Sequence, residues 1–182
     1  FAEGASLDWS AVYLRDQLDT SAGLAAACTT GFMLTMAVAR LVGDMVVDRF
    51  GAVRTVRAGG ALAVLGGLLI VVAGHPAVAM GGFALLGLGI AVVVPLCFAA
   101  AGRSGPNPSQ AIAGVATITY TSGLIAPGLI GGVAQATSLL VSFVLVTALA
   151  CGLTAFAGVL RTGDRSRREV SRPNAAVPDP RP

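Results

Sequence analysis

The chain has 182 residues, of which 55% are hydrophobic and 12% charged, with a formal net charge of +3 and a mean hydropathy of +0.81. Soluble domains carry about 25% charged residues, so this composition excludes a soluble enzyme. The charges are also clustered: residues 20–39 and 104–160 have none, and residues 58–102 have none unless His75 takes up a proton.

In chain order, residues 1–18 read as the last turns of a helix that begins upstream. On a helical projection Asp8, Arg15 and Asp19 share one face, and Leu7, Leu14 and Leu18 share another. Phe1 is not an initiator methionine, and no basic segment leads into an apolar one, so no signal peptide is read here. Crossing about 30 Å of hydrocarbon takes about 20 apolar residues in a helix. One such span fits the first charge-free stretch, and two fit each of the others. Gly74-His75-Pro76 divides the second stretch, with Pro76 suited to the first position of a helix. The run Ser104-Gly105-Pro106-Asn107-Pro108-Ser109 cannot continue a helix, and Gln135–Ser138 makes a polar break later on. The predicted spans are 20–42, 55–74, 77–102, 110–134 and 138–160, within a membrane domain of residues 1–160. A transmembrane barrel would instead show alternating segments of about 10 residues. Residues 161–182 hold six Arg, three acids and four Pro, which predicts a disordered cytoplasmic tail.

Arginine placement predicts the orientation. Arg40, Arg49, Arg54, Arg57, Arg103 and the six of the tail make eleven of the twelve basic residues, and all fall on one side of a five-span topology. By the positive-inside rule that side is cytoplasmic, and so is the C-terminus. The opposite side carries Arg15 with Glu3, Asp8, Asp16 and Asp19. The basic character is therefore assigned to membrane orientation, with the lipid bilayer as partner, and not to nucleic acid. Cys28, Cys97 and Cys151 fall in three different spans without paired spacing, and the chain has one His. No metal, cofactor or disulfide is predicted from them; they read as small buried thiols. No nucleophile–base pair or phosphate loop points to catalysis.

The most informative stretch is Arg40-Leu-Val-Gly-Asp44-Met-Val-Val-Asp48-Arg49-Phe50-Gly51-Ala-Val-Arg54. Asp44 and Asp48 lie one helical turn apart and so point the same way. Gly51 is suited to end that helix in a backbone shape closed to other residues. Arg54 and Arg57 then begin the next helix at headgroup level. Read alone, this is either a polar loop with positive-inside arginines or a functional turn.

The same residues resemble the signature loop of the major facilitator superfamily, roughly Gly-x-x-x-Asp-Arg-x-Gly followed by basic residues. Asp48, Arg49 and Gly51 match its core; Asp44 stands where the opening Gly belongs, and Arg54 arrives late. Further runs resemble a bacterial branch related to fucose permease: Glu3-Gly4, the stretch Asp8–Arg15, Val94-Pro95, Ala99–Gly102, then Ala116, Thr117 and Tyr120 ahead of Pro127. Val92 takes a place where an Asn is frequent in that branch.

The resemblance implies an all-α polytopic membrane protein, a partial C-terminal six-helix half made of the end of helix 7 plus helices 8–12. It implies a fragment of a secondary active transporter in a bacterial inner membrane, moving a small polar solute by ion-coupled alternating access. It implies a partner in the N-terminal half and leaves the substrate unknown. The alternative is a non-transporting membrane module or a remnant of a disrupted transporter. In the superfamily helices 7, 8, 10 and 11 line the path and helices 9 and 12 face lipid. Glu3, Asp8, Thr29, Thr30, Thr117, Tyr120 and Thr121 are accordingly the candidates for the path, and Asp44, Asp48, Arg49, Gly51 and Arg54 form the gating loop. Gly59, Ala63 and Gly67, and separately Gly128 and Gly132, repeat every four residues and are expected to let helices approach closely. Pro95 and Pro127 are expected to kink their spans.

Overall fold

The structure, a computed structural model, describes residues 1–103 and 106–156. Ser104, Gly105, the end of the fifth predicted span and the expected disordered tail lie outside the described residues. The described residues fold as seven helices: α1 (Ala2–Leu18), α2 (Ala22–Phe50), α3 (Ala52–Val71), α4 (Pro76–Ile90), α5 (Val93–Ala101), α6 (Pro108–Ala136) and α7 (Leu139–Phe156). Four stretches are long and apolar enough to cross a membrane, namely Ala22–Phe50, Ala52–Val71, Pro76–Ala101 and Pro108–Ala136; Leu139–Ala155 is a shorter apolar helix.

Local chemistry explains where the helices stop. Ser21 caps α2, accepting a hydrogen bond from the Leu24 amide at 3.3 Å. Gly51 ends α2 with φ 81°, a conformation that glycine adopts without strain, and α3 starts at the next residue. His75 caps α4, its Nδ1 accepting from the Ala77 amide at 3.2 Å, and Pro76 opens the helix.

The predicted span 77–102 is broken between α4 and α5, at Ala91 and Val92. Pro95 is the reason. It has no N–H to give the carbonyl four residues back, which is that of Ala91. The ladder resumes with the Leu96 amide on the Val92 oxygen at 3.1 Å. Pro127 has a gentler effect, and α6 runs through it unbroken.

Pairwise contacts fix the helix directions. Ser10 meets Thr29 and Glu3 meets Arg40, so α1 and α2 are antiparallel. Gly59 lies against Gly89 and Gly66 against Gly82, so α3 and α4 are antiparallel too. Gly4 lies near Gly123 and Ala126 while Trp9 reaches Gly131, which makes α1 and α6 parallel.

The core is where α1, α4 and α7 meet. The rings of Tyr13, Phe83 and Phe143 stack edge to face, with centroids 6.1, 5.3 and 5.1 Å apart. The buried Tyr13 hydroxyl donates at 2.6 Å to the Ile70 carbonyl in the last turn of α3, which also accepts from the Ala73 amide at 3.3 Å.

The glycine pattern differs from the expected stripes. Gly59, Ala63 and Gly66 receive α4, while Gly60 and Gly67 receive Thr154 and Thr147 of α7. The four-residue series of the sequence therefore serves two neighbours. Gly128 and Gly132 are a correction: nothing lies within 4 Å of a Cβ built on either. The close approach on α6 is at Gly131, where an added Cβ would come 2.8 Å from the Trp9 ring. Of the three cysteines only Cys28 is buried; Cys97 is half-buried and Cys151 is exposed.

Candidate transport path and gating loop

The ion pair of the structure joins α1 to α2 on a half-open face of the bundle. Glu3 is fifteen residues before the end of α1 and Arg40 eighteen after the start of α2. At 1.5 Å per residue these are about 22 and 27 Å from the turn joining the two helices. The long side chain of a helical residue leans back toward the helix N-terminus, which draws the Arg40 head toward the level of Glu3. Ala91, fifteen residues into the Pro76–Ala101 span, is at a similar depth. Against a hydrocarbon layer of about 30 Å, that sets all three in the half of the bundle farther from this turn.

There, Arg40 Nη2 donates to both carboxylate oxygens of Glu3, at 3.2 and 3.1 Å. Its Nε donates to the Ala91 carbonyl at 3.4 Å. That carbonyl is the one orphaned by Pro95, so the arginine supplies the hydrogen bond that the helix cannot. The two charged side chains keep 44% and 38% of their surface open. Among the described residues no other ion pair is formed.

The remaining path candidates separate into groups. Ser10 and Thr29 share a hydrogen bond of 2.8 Å between α1 and α2, which ties Thr29 to helix packing. Thr30 and Thr117 are exposed but spend their hydroxyls on the carbonyls of Ala26 and Ala113 in their own helices. Tyr120 and Thr121 are exposed on α6, Tyr120 at 76%. Asp8 is exposed too, but five residues from Glu3 on α1 it points to a different side of that helix. Glu3 and Asp8 are thus not brought together. Near the C-terminal ends of α1 and α6 and the start of α7 lies an open cleft of about 420 Å³, lined by Trp9, Val12, Asp16, Gly131 and Gln135 among others. The Trp9 indole nitrogen is buried there without a hydrogen-bond partner.

In the gating loop, α2 continues past the predicted span to Phe50, so Asp44 and Asp48 stand exposed on one helical face. Neither makes an ion pair with Arg49 or Arg54 among the described residues. Arg49 instead lies over the Phe50 ring, 5.6 Å from its centroid. Arg54 is exposed in the first turn of α3.

Two residues escaped the sequence reading. Arg40 was grouped with the cytoplasmic arginines, although Pro95 was a signal that some donor must reach Ala91. Gly43 sits where Val92 packs on α2: a Cβ there would come 2.8 Å from Val92 Cγ1. The loop's missing glycine is thus supplied one place early for a packing reason.

The apolar helices and their alternating directions define a polytopic helical membrane protein. A family profile for the Major Facilitator Superfamily matches residues 5–181. The chain belongs to that superfamily. It is 38% identical over 160 residues to an uncharacterised transporter of Sinorhizobium fredii, covering 87% of this chain and 42% of that protein. It is 36% identical over 149 residues to an uncharacterised MFS-type transporter of Yersinia pestis, covering 81% and 39%. It is 31% identical over 138 residues to the membrane protein MosC of Rhizobium meliloti, covering 75% and 34%. The chain spans about two-fifths of the length of the first two of these relatives, 42% and 39%. No solved structure matches.

Proposed function

We propose that the chain is the C-terminal half of an ion-coupled secondary transporter that moves a small polar solute by alternating access. It sits in a bacterial inner membrane with the end of α2 and the C-terminus cytoplasmic. The observation that carries this reading is the half-open Glu3–Arg40 pair that links α1 and α2 beside a broken helix. Glu3 takes up the coupling proton, and the exposed hydroxyls of Tyr120 and Thr121 belong to the same path. Partial coverage of the relatives supports an N-terminal half as the other wall of that path. Asp48, exposed and unpaired with its loop arginines, holds the cytoplasmic gate by meeting a helix N-terminus of that half, where the dipole favours a carboxylate.

The test is solute uptake under a proton gradient by the complete transporter in proteoliposomes. Glu3→Gln is expected to uncouple uptake from the gradient. Unaltered coupling and unaltered apparent affinity in that variant would remove Glu3 from the path. The present chain reconstituted by itself is expected not to transport, and saturable uptake by it would refute the two-halves reading.

A further inference from the structure

We infer that the cleft between α1, α6 and the start of α7 binds a small organic cation, a hydroxylated alkylammonium in class. Asp16 is its counter-charge and Trp9 its wall. No path candidate lines this cleft, so the site goes beyond the transport reading.

The sequence spacing builds the two walls. Trp9, Val12 and Asp16 stand three and seven residues apart and so share one face of α1. Gly131, Ala134 and Gln135 do the same on α6. The two helices are parallel, which brings the polar ends of both faces, Asp16 and Gln135, to one mouth. Gly131 lets the indole lie on the α6 backbone, since a Cβ there would come 2.8 Å from Trp9 Cζ2. With Ala134 on the next turn, the α6 wall stays low beside the ring. The enclosed space of about 420 Å³ is within the range of small-ligand sites, roughly 300–1,000 Å³.

The charge of the cleft is one-sided. Asp16 is its one ionisable lining residue, exposed and in no ion pair with a described residue. Arg15 points about 100° away round α1 and does not line the cleft. The mouth also lies at the carboxyl ends of α1 and α6, where unpaired carbonyls favour a cation. The opposing amino end of α7 is capped, Ser138 Oγ accepting from the Val141 amide at 3.3 Å. Two carboxyl ends and a carboxylate thus outweigh one capped amino end.

The rest of the lining fits the body of such a ligand. Trp9 is half-buried, and its ring offers a cation a π surface. Its indole N–H is buried without an acceptor among the described residues. A small turn of the ring brings that donor to a ligand hydroxyl, which completes a hydrogen bond the protein does not make by itself. The exposed amides of Gln17 and Gln135 flank the same mouth, whereas Thr137 commits its hydroxyl to the Val133 carbonyl at 2.7 Å. An ammonium with a hydroxyl or ester oxygen comes from two sources, a free amine or the ethanolamine headgroup of a lipid.

The experiment is fluorine NMR of the complete transporter, labelled with fluorotryptophan, in dodecyl maltoside micelles, which carry no ammonium. The present chain has one tryptophan, so its resonance is the one that Trp9→Phe removes, apart from any outside residues 1–182. Choline and ethanolamine are expected to shift that resonance saturably. Dimethylbutanol, which keeps the shape and hydroxyl of choline without its charge, is expected to bind at least about tenfold more weakly. Asp16→Asn should weaken choline binding by about tenfold and Gln135→Ala by roughly two- to threefold. Asp8→Asn removes the same charge elsewhere on α1 and is expected to leave binding unchanged. Micelles doped with phosphatidylethanolamine separate the sources. A shift caused by the lipid and reversed by choline makes the headgroup the occupant, and no lipid shift makes it the free amine; both keep the ammonium site. An equal response to dimethylbutanol, an equal loss in Asp8→Asn, or no shift in monodisperse protein overturns the inference. Binding is read without transport, so its failure leaves the transport reading standing, and failed uptake leaves the site standing.

Discussion

The two sides of this bundle are held together differently. Where α3 meets α4 and α7, backbones touch: Gly59, Ala63 and Gly66 lie against Gly82 and Gly89, and Thr147 and Thr154 fill the hollows at Gly67 and Gly60. Between α1 and α2, and from α2 to the helix break at Ala91, polar side chains add to the apolar packing, by Ser10 on Thr29 and by Arg40 on Glu3 and Ala91. α6 goes further still, with Ile118, Tyr120 and Leu124 exposed at 72–83%. Apolar burial gives helices in lipid little reason to associate, so close van der Waals packing must hold the first side together. The second side adds polar bonds, which can be broken and remade. A rigid plate carrying a switchable face is the lesson of the contrast.

The largest expected effect is on the rigid side. A Cβ at Gly89 would fall against the Gly59 carbonyl and the Ala63 backbone, and neither can rotate away. Gly89→Val is expected to destabilise by about 3 kcal/mol or more, the upper end of overpacking. Size-exclusion chromatography in mild detergent should show loss of the monodisperse peak. A normal peak and an unshifted melting temperature would mean that α3 and α4 are not locked by backbone contact.

Next comes the joint between the sides. Pro95→Ala returns an N–H to the Ala91 carbonyl and so competes with Arg40 for it. The expected outcome is a straighter α4–α5, unchanged or slightly raised stability, and uptake lowered roughly tenfold, a barrier change of about 1.4 kcal/mol. Wild-type uptake with a restored ladder would show that the break itself is dispensable.

Smaller is the effect at the gate. Asp48→Asn removes the charge but keeps the shape, and a carboxylate at a helix N-terminus contributes about 0.3–1 kcal/mol. Inward accessibility in the complete transporter should therefore rise by roughly two- to fivefold. Labelling of a cysteine placed at the cytoplasmic mouth measures it. No change in labelling or uptake would reduce the signature loop to a solvated turn.

Much of this was legible in the sequence, and the failures have physical causes. Charge-free runs and their turns marked the helices, because lipid forbids open backbone and soluble charge alike. Gly51 and Pro76 announced a helix end and a helix start through their own conformational limits. The order of Asp48, Arg49 and Gly51, with the later Val94-Pro95 and Tyr120, pointed to the superfamily. Arg40 was missed because a positive charge near a loop is ordinarily a topology signal, and only the partner 37 residues away gives it another task. The break at Ala91 was nearly readable: Pro95 says which carbonyl loses its donor, but not which side chain replaces it. The glycine stripes misled because spacing gives a face of a helix and not the neighbour on it. A repeat of four on α3 met two helices, and the same repeat on α6 met none.

That last point yields the smallest effect and a clean discrimination of sign. If spacing alone identified packing glycines, Gly128→Ala and Gly132→Ala would both destabilise. The structure leaves open space at both positions, in the middle of a continuous helix. Glycine in a helix interior is less stable than alanine there by roughly 0.5–1 kcal/mol, because it loses more backbone freedom on folding. Each substitution is therefore expected to leave the melting temperature unchanged or raise it slightly. Gly131→Ala, one residue away, sets a methyl 2.8 Å from the Trp9 ring and is expected to lower it as α1 is pushed off α6. Measured side by side in the same detergent, the three variants should split two against one. A fall at Gly128 or Gly132 equal to that at Gly131 would mean that α6 has a close neighbour on its open face, and that this wall is packed as tightly as the plate behind it.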